Sequence, residues 1–353
     1  MGGSVDYIGN KELKSLEGVD GEALTRASRV FPVLWPRYYY NLIKGDIRIH
    51  PVARMGLPTR DELSVRQDDL QDPVGEAKVT IGKYLVRKHS DRIVLLTTRH
   101  CHFYCRFCFR RGQTRRDFSD PVEADWNAIF NYIRKEREIK EVILSGGDPL
   151  TLSDVKLGWI IDKLNDIQSL EKIRIHSRCP VHAPSRVTAN LLAQLKSKHD
   201  LVLVTHFNHF VELTPQARKA VSLFQENNIA VKNQTVLLRG VNDCPAVMRR
   251  LLEKLMKFDI EPYYIHHTDR VMGNARFRVG LSRGRAICES STGNMDLKGF
   301  RYVIDLPDGS GKVPVKKLIR KKGNQFQFRH PDGKETVFSD NLSAGILFSG
   351  MTV

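Results

Sequence analysis

Between residues 93 and 265, short β-branched runs alternate with helical stretches, and that alternation leaves the chain few architectures. The runs are 93–98, 141–144, 172–175, 201–205, 230–236 and 263–265. Helix-forming stretches at 124–138, 154–167, 187–196, 215–227 and 244–258 lie between them. Strands so spaced pair in parallel, each joined to the next by a crossover helix. Six such units build a barrel or an open doubly wound sheet. In either, ligands gather at the carboxyl ends of the strands. The chemistry-bearing residues do follow the runs. Cys101 follows the first, Gly146-Gly147-Asp148 the second, Arg178 the third and His206 the fourth; Gln234 lies on the fifth, and Asp269 follows the sixth.

The first of these positions is the most informative. Residues 95–111 place Cys101, Cys105 and Cys108 on one tight loop. Three thiolates can hold three irons of a [4Fe–4S] cluster and leave the fourth open to a substrate or cofactor. Two other readings use the same residues: a structural zinc completed by His100 or His102, or three separate thiols packed as small apolar groups.

Four further features carry chemistry. Gly146 and Gly147 let a ligand approach the backbone, whose N–H groups can receive a carboxylate; an ordinary turn is the alternative. Lys312 ends the glycine-rich turn 307–312, where a lysine can form a Schiff base with pyridoxal phosphate, or simply be an exposed turn residue. Val313 follows it, so the Walker pattern is not met. Asp269 and Asp305 can pair around an ammonium group, or serve as caps. Arg110 can hold a carboxylate in bidentate fashion, or belong to a solvated basic run. His206 and His209, three apart, fall on opposite faces of a strand and make a poor metal pair.

The chain has 353 residues and a net charge of +16. The charge is spread over 110–116, 249–257, 276–285 and 316–322, without a helix-turn-helix or RNA-recognition signature. Anionic small molecules account for it as well as nucleic acid does, and nucleic acid is not expected as a partner. The apolar runs are too short for a bilayer, and no signal pattern opens the chain. Six cysteines, three of them clustered, do not form a disulfide framework. These features point to a cytoplasmic protein. Three segments are expected: a helical region over 1–85, an α/β core over 86–306, and a β-rich tail over 307–353. The tail carries Lys312, a basic stretch that could dock a partner, and a hairpin turning at Asp332-Gly333.

Cys101-x-x-x-Cys105-x-x-Cys108 resembles the signature of radical S-adenosylmethionine (SAM) enzymes. More closely, the chain resembles the lysine 2,3-aminomutase family, including the branch that supplies β-lysine to elongation factor P. The resemblance rests on 104–111, 144–150, 174–178, 206–209, 233–243, 262–265 and 311–314. Arg174-Ile175-His176-Ser177-Arg178 is more like the elongation-factor branch, while Asp305, seven residues before Lys312, is more like the free-lysine mutases.

The resemblance implies a partial (βα)6 radical SAM barrel with an N-terminal helical region and a small C-terminal β-rich extension. It implies that Cys101, Cys105 and Cys108 ligate a [4Fe–4S] cluster, and that Gly146, Gly147 and Asp148 contact SAM, with His206 and Gln234 nearby. Lys312 would carry pyridoxal phosphate, and Arg92 would hold its phosphate. Relatives place a tyrosine where His89 stands. Arg110 would grip the substrate carboxylate, and Asp269 and Asp305 the distal ammonium. The implied reaction moves the 2-amino group of L-lysine to C3, giving β-lysine. Arginine or ornithine is the alternative substrate, and a basic, metal-stabilised binding module the alternative function. A reductant such as flavodoxin or ferredoxin is implied, as are possible homo-oligomerisation and a link to elongation factor P. Longer relatives bind structural zinc through an earlier cysteine, matched by Cys244, and three C-terminal ones. No cysteine follows Cys288, so no structural zinc is expected.

Overall fold

The computed structural model describes residues 4–114, 119–293, 295–297, 299–330 and 333–340. Helices α1 (Asn10–Lys14), α2 (Gly21–Val30), α3 (Arg37–Tyr40) and α4 (Pro51–Gly56) open the chain, with a short antiparallel ribbon of β1 (Tyr7–Ile8) and β2 (Trp35–Pro36). Helix α2 starts where the Asp20 carboxylate accepts the Ala23 N–H, satisfying a donor the helix leaves open.

A ten-stranded sheet follows. On one edge, β3 (Thr80–Ile81) and β4 (Leu85–Val86) form an antiparallel hairpin that pairs with β5 (Arg92–Thr98). From β5 the strands run parallel and in chain order: β6 (Glu141–Gly146), β7 (Lys172–His176), β8 (Asp200–Thr205), β9 (Ala230–Val236), β10 (Glu261–His266) and β11 (Arg301–Asp305). Finally β12 (Lys312–Pro314) adds antiparallel to β11.

Helices α5 (Glu123–Lys135), α6 (Asp154–Asn165), α8 (Ala189–Gln194), α9 (Pro215–Glu226), α10 (Pro245–Met256) and α11 (Leu281–Thr292) fill the crossovers, and α7 (Cys179–His182) is a single turn after β7. Each long crossover helix has one apolar stripe. Helix α5 buries Trp126, Ile129, Phe130 and Ile133, and α10 buries Met248, Leu251, Leu252 and Leu255. Spacings of three and four put such residues on one helix face. They pack on one face of the sheet, where Val142, Leu144, Ile173, Ile175, Leu203 and Val231 are buried. The alternate strand residues turn to the other face and line a cavity. The architecture is the expected α/β partial barrel of six βα units.

The sheet extends further than the sequence pattern indicates. Arg301–Asp305 is a seventh parallel strand, although only Tyr302, Val303 and Ile304 within it are apolar and buried. A run that short is hard to read as a strand without its neighbour. The sheet also runs through both segment boundaries drawn at 85/86 and 306/307. A separate antiparallel sheet of β13 (Leu318–Lys322), β14 (Gln325–Arg329) and β15 (Glu335–Ser339) closes the described chain. It pairs Phe326 with Phe338 and Arg329 with Glu335, as the expected hairpin requires. Pro331 and Asp332, part of that turn, lie outside the described residues. Among the described residues no helix is long and apolar enough to cross a membrane.

Candidate active site

The cysteine loop leaves the end of β5 and is clamped from the N-terminal region. Phe103 packs edge-on against Trp35 and Tyr39, with ring centroids 4.9 and 4.8 Å apart. The fully buried Arg106 meets the Glu62 carboxylate through Nε at 3.0 Å and through Nη2, and gives another hydrogen bond to the Pro32 carbonyl at 2.6 Å. Arg111 reaches the same carboxylate at 2.6 Å. Burial pushes the Glu62 carboxyl up, but the two guanidinium groups outweigh it and hold it below its ordinary range.

Cys101, Cys105 and Cys108 are half-buried and open on to a cavity of about 600 Å³. Burial raises all three thiols, Cys108 to about 11; charge on the neighbouring sulfurs adds to this at Cys101 and Cys108, while Arg178 opposes it at Cys105. Three crowded thiols of this kind are relieved by cationic metal. Among the described residues no three His, Cys, Asp or Glu side chains close around a single ion. Three thiols on one loop, opening on to a single cavity, are the donor set for a [4Fe–4S] cluster whose fourth iron stays free.

The loop after β6 lies against the cysteine loop. The Gly147 N–H donates to the Thr98 carbonyl at 2.6 Å, and the Asp148 N–H to the His100 carbonyl at 2.8 Å. Gly146 has φ +109°, and a Cβ there would meet the Thr98 carbonyl at 2.5 Å. The two glycines therefore answer to loop-on-loop packing as well as to ligand approach. Asp148 is buried and well used: it accepts from Ser177 Oγ at 2.6 Å, the Arg178 N–H at 2.9 Å and the Leu150 N–H at 3.0 Å. It ties the β6 and β7 loops together at the cavity wall.

Arg178 closes this end. It donates to Cys105 Sγ at 2.7 Å, Glu212 Oε1 at 2.7 Å and the His206 carbonyl at 2.9 Å. His206 and Gln234 line the cavity beside it. Burial keeps His206 neutral, well below its ordinary pKa. His209 faces away from the cavity and accepts the Val211 N–H at 3.3 Å.

The opposite wall carries the acids and the turn lysine. Asp305 ends β11 and stands directly across from Lys312 on β12. Their charged atoms are 3.6 Å apart. Lys88 Nζ lies 3.8 Å from Asp305, and His266 Nδ1 3.9 Å. Burial opposes ionisation of Asp305, yet Lys312 and Lys88 bring it below its ordinary range. Asp269, after β10, responds the other way. Burial and then the charge on Asp305 raise it to about 8. Arg110 spans the middle: Nε and Nη2 grip Glu76 at 3.0 and 2.5 Å, and Nη1 reaches Ser145 Oγ at 3.0 Å. Arg92 begins β5, pairs with its neighbour Asp91 at 2.9 Å, and lines the cavity below.

All the expected site residues thus line one cavity. Sequence reasoning missed Glu62, Glu76 and Lys88, which lie in regions without a period to read. It also missed His176 and His266, whose buried Nε2 atoms have no hydrogen-bond partner among the described residues. Their signal was present, because each ends a strand on the inward-facing register.

Lys312 and Arg92 both line the cavity, an amine and a guanidinium of the kinds that pyridoxal phosphate takes for its aldehyde and its phosphate. Gly311, at φ +90°, lies against the His89 ring, where a Cβ would sit 3.2 Å from Nε2.

Comparison with known proteins agrees with this chemistry. Residues 95–252 match the Radical SAM superfamily. The chain is 38% identical over 296 residues to the L-lysine 2,3-aminomutase of Methanococcus maripaludis, covering 83% of this chain and 68% of that protein. It is 39% identical over 314 residues to the L-lysine 2,3-aminomutase of Clostridium subterminale, covering 87% and 74%. It is also 32% identical over 312 residues to the glutamate 2,3-aminomutase of Clostridioides difficile, covering 88% and 74%. Membership of this superfamily implies a [4Fe–4S] cluster and SAM. With its cysteine triad, partial barrel and extended identity, the chain belongs to the lysine 2,3-aminomutase family of radical SAM enzymes.

Proposed function

We propose that this protein is a lysine 2,3-aminomutase, an isomerase that converts L-lysine to β-lysine. The observation that carries the substrate choice is the pair Asp269 and Asp305 on one wall of the cavity, close enough that the charge on Asp305 acts on Asp269. An ammonium group answers two carboxylates, whereas a glutamate side chain would be repelled. Purified, reduced protein supplied with SAM and pyridoxal phosphate should make β-lysine from lysine, with arginine, ornithine and glutamate poorer substrates. Preferential turnover of glutamate would overturn the assignment.

In this reading Cys101, Cys105 and Cys108 hold a [4Fe–4S] cluster, with Gly146, Gly147, Asp148, His206 and Gln234 around SAM. Lys312 and Arg92 hold pyridoxal phosphate. When bound, the cluster and SAM supply a hydrogen-abstracting radical, and pyridoxal phosphate supplies the delocalisation that lets the amino group migrate. The protein's own groups orient the substrate. Arg110, fixed from one side by Glu76, keeps Nη1 beside Ser145 to receive the α-carboxylate. Asp269 and Asp305 hold the far end, so C3 is fixed by contacts on both sides of it. Neutral His206 and His266 line the cavity without adding charge.

A pH dependence follows. In the ligand-free enzyme Asp269 is protonated below about 8. An ammonium binds the carboxylate form, so lysine affinity should rise from pH 6 to 8 and then level. KM measured across that range should fall, and Asp269→Asn should remove most of the trend. A flat KM in the parent would refute the role of Asp269.

Arg178 places a cation on Cys105. Reduction adds negative charge to the cluster, so this contact favours the reduced state. Arg178→Met should lower the midpoint potential by on the order of 60 mV, about a tenfold change for one electron. An EPR-monitored redox titration measures it, and an unchanged potential would rule the contact out.

The reading requires a one-electron donor of the flavodoxin or ferredoxin class. Transfer of the product to elongation factor P, and assembly into a homo-oligomer, are extensions of it that product tracing and light scattering would test.

A further inference from the structure

The turn that presents Lys312 is held by a part of the chain outside the barrel. Asp308 starts a set of hydrogen bonds: Ser310 Oγ donates to Asp308 Oδ1 at 2.5 Å, and the Ser310 N–H reaches the same oxygen at 3.0 Å. Ser310 Oγ also lies 3.0 Å from Nδ1 of His330, which is buried at the end of β14. Across the imidazole, Nε2 lies 3.0 Å from Thr336 Oγ1 on β15. Thr336 Oγ1 donates to Asp308 Oδ2 at 2.7 Å, so β15 also holds the turn directly through this carboxylate. Lys334 Nζ adds a contact to Asp308 at 3.2 Å. These partners bring Asp308 well below the ordinary carboxylate range.

Within the turn, Gly309 and Gly311 have φ +84° and +90°. Such backbone has little preference of its own and needs outside support to hold one shape. A second support comes from the N-terminal side, where Gly75 lies so close that a Cβ on it would meet the Gly309 nitrogen at 2.5 Å.

We propose that the C-terminal three-stranded sheet is part of the active-site machinery: through Thr336 and His330 it fixes the 307–312 turn and so positions Lys312. His330, Thr336, Asp308 and Ser310 are then positioning residues acting through Lys312: two in the turn, Thr336 on β15 and His330 just after β14. The cofactor side of this inference rests on the assignment of pyridoxal phosphate to Lys312. A hydrogen-bonded turn limits the lysine's motion, which lowers the ordering cost of holding the cofactor.

The test uses full-length anaerobic protein and Thr336→Val, which keeps the side-chain shape and removes the hydroxyl. Thr336→Ser restores it, and His330→Gln is the second probe. Hydrogen exchange of the 307–314 backbone reads the turn without any cofactor. It should quicken about tenfold in Thr336→Val and return to the parent rate in Thr336→Ser. Pyridoxal phosphate affinity, followed by absorbance and by borohydride trapping on Lys312, should weaken about tenfold in the same variant. The pH titration of that absorbance should shift, while iron content stays at the parent value. An unchanged exchange rate, or an unchanged affinity and titration, overturns the proposal. A parent protein that traps no pyridoxal phosphate on Lys312 refutes the cofactor assignment instead, and the exchange rates then decide alone whether the sheet holds the turn.

Discussion

Lys312→Ala should lower β-lysine formation by more than about a thousandfold, since a group that forms a covalent link to a cofactor is not replaced by its neighbours. Lys88, the nearest other amine to Asp305, is engaged with the Val74 carbonyl at 2.6 Å and cannot take over the place of Lys312 on β12. The variant should keep its iron and its cluster EPR signal, because the cysteine loop belongs to another wall of the cavity. Absorbance from the cluster overlaps that from the lysine–cofactor link, so difference spectra against this variant isolate the latter. Product formation within a factor of ten of the parent would end the assignment of Lys312.

The second large effect concerns stability. Glu62→Ala should destabilise the protein by about 3–5 kcal/mol, the range for removing one partner of a buried charged set. Two buried guanidinium groups, of Arg106 and Arg111, would lose their shared carboxylate. Arg106 lies between two of the three cysteines, so the loss should also lower iron content. Denaturant unfolding of anaerobic protein and an iron assay measure the two effects. A cost below about 1 kcal/mol would show that the arginines find other partners. Exposed pairs make the contrast: Arg285→Ala, which removes an exposed ion pair to Glu289, should cost well under 1 kcal/mol.

The contrast between these residues also marks what can be read from sequence. The barrel units are legible because strands of period two and helices of period 3.6 repeat six times, each repeat supporting the next. The cysteine spacing is legible because it is local. Lys312 and Asp305 are legible as candidates, but their partnership is not. Seven residues of separation become direct opposition only through the β11–β12 pairing. Glu62 and Glu76 are not legible at all. Each is one carboxylate in a polar stretch, and its partner lies 44 and 34 residues away, respectively. Long-range ion pairs leave no periodic trace. Arg301–Asp305 is missed for a similar reason: its strand character comes from β10 and β12 on either side rather than from its own three apolar residues.

The opposition of Asp305 and Lys312 reaches beyond the present site. They stand seven positions apart in the chain, joined by the turn 306–311, and face each other in the antiparallel pairing. On the proposed assignments one member of this facing pair meets the substrate and the other the cofactor, so a change in how β11 and β12 pair would be felt at both at once.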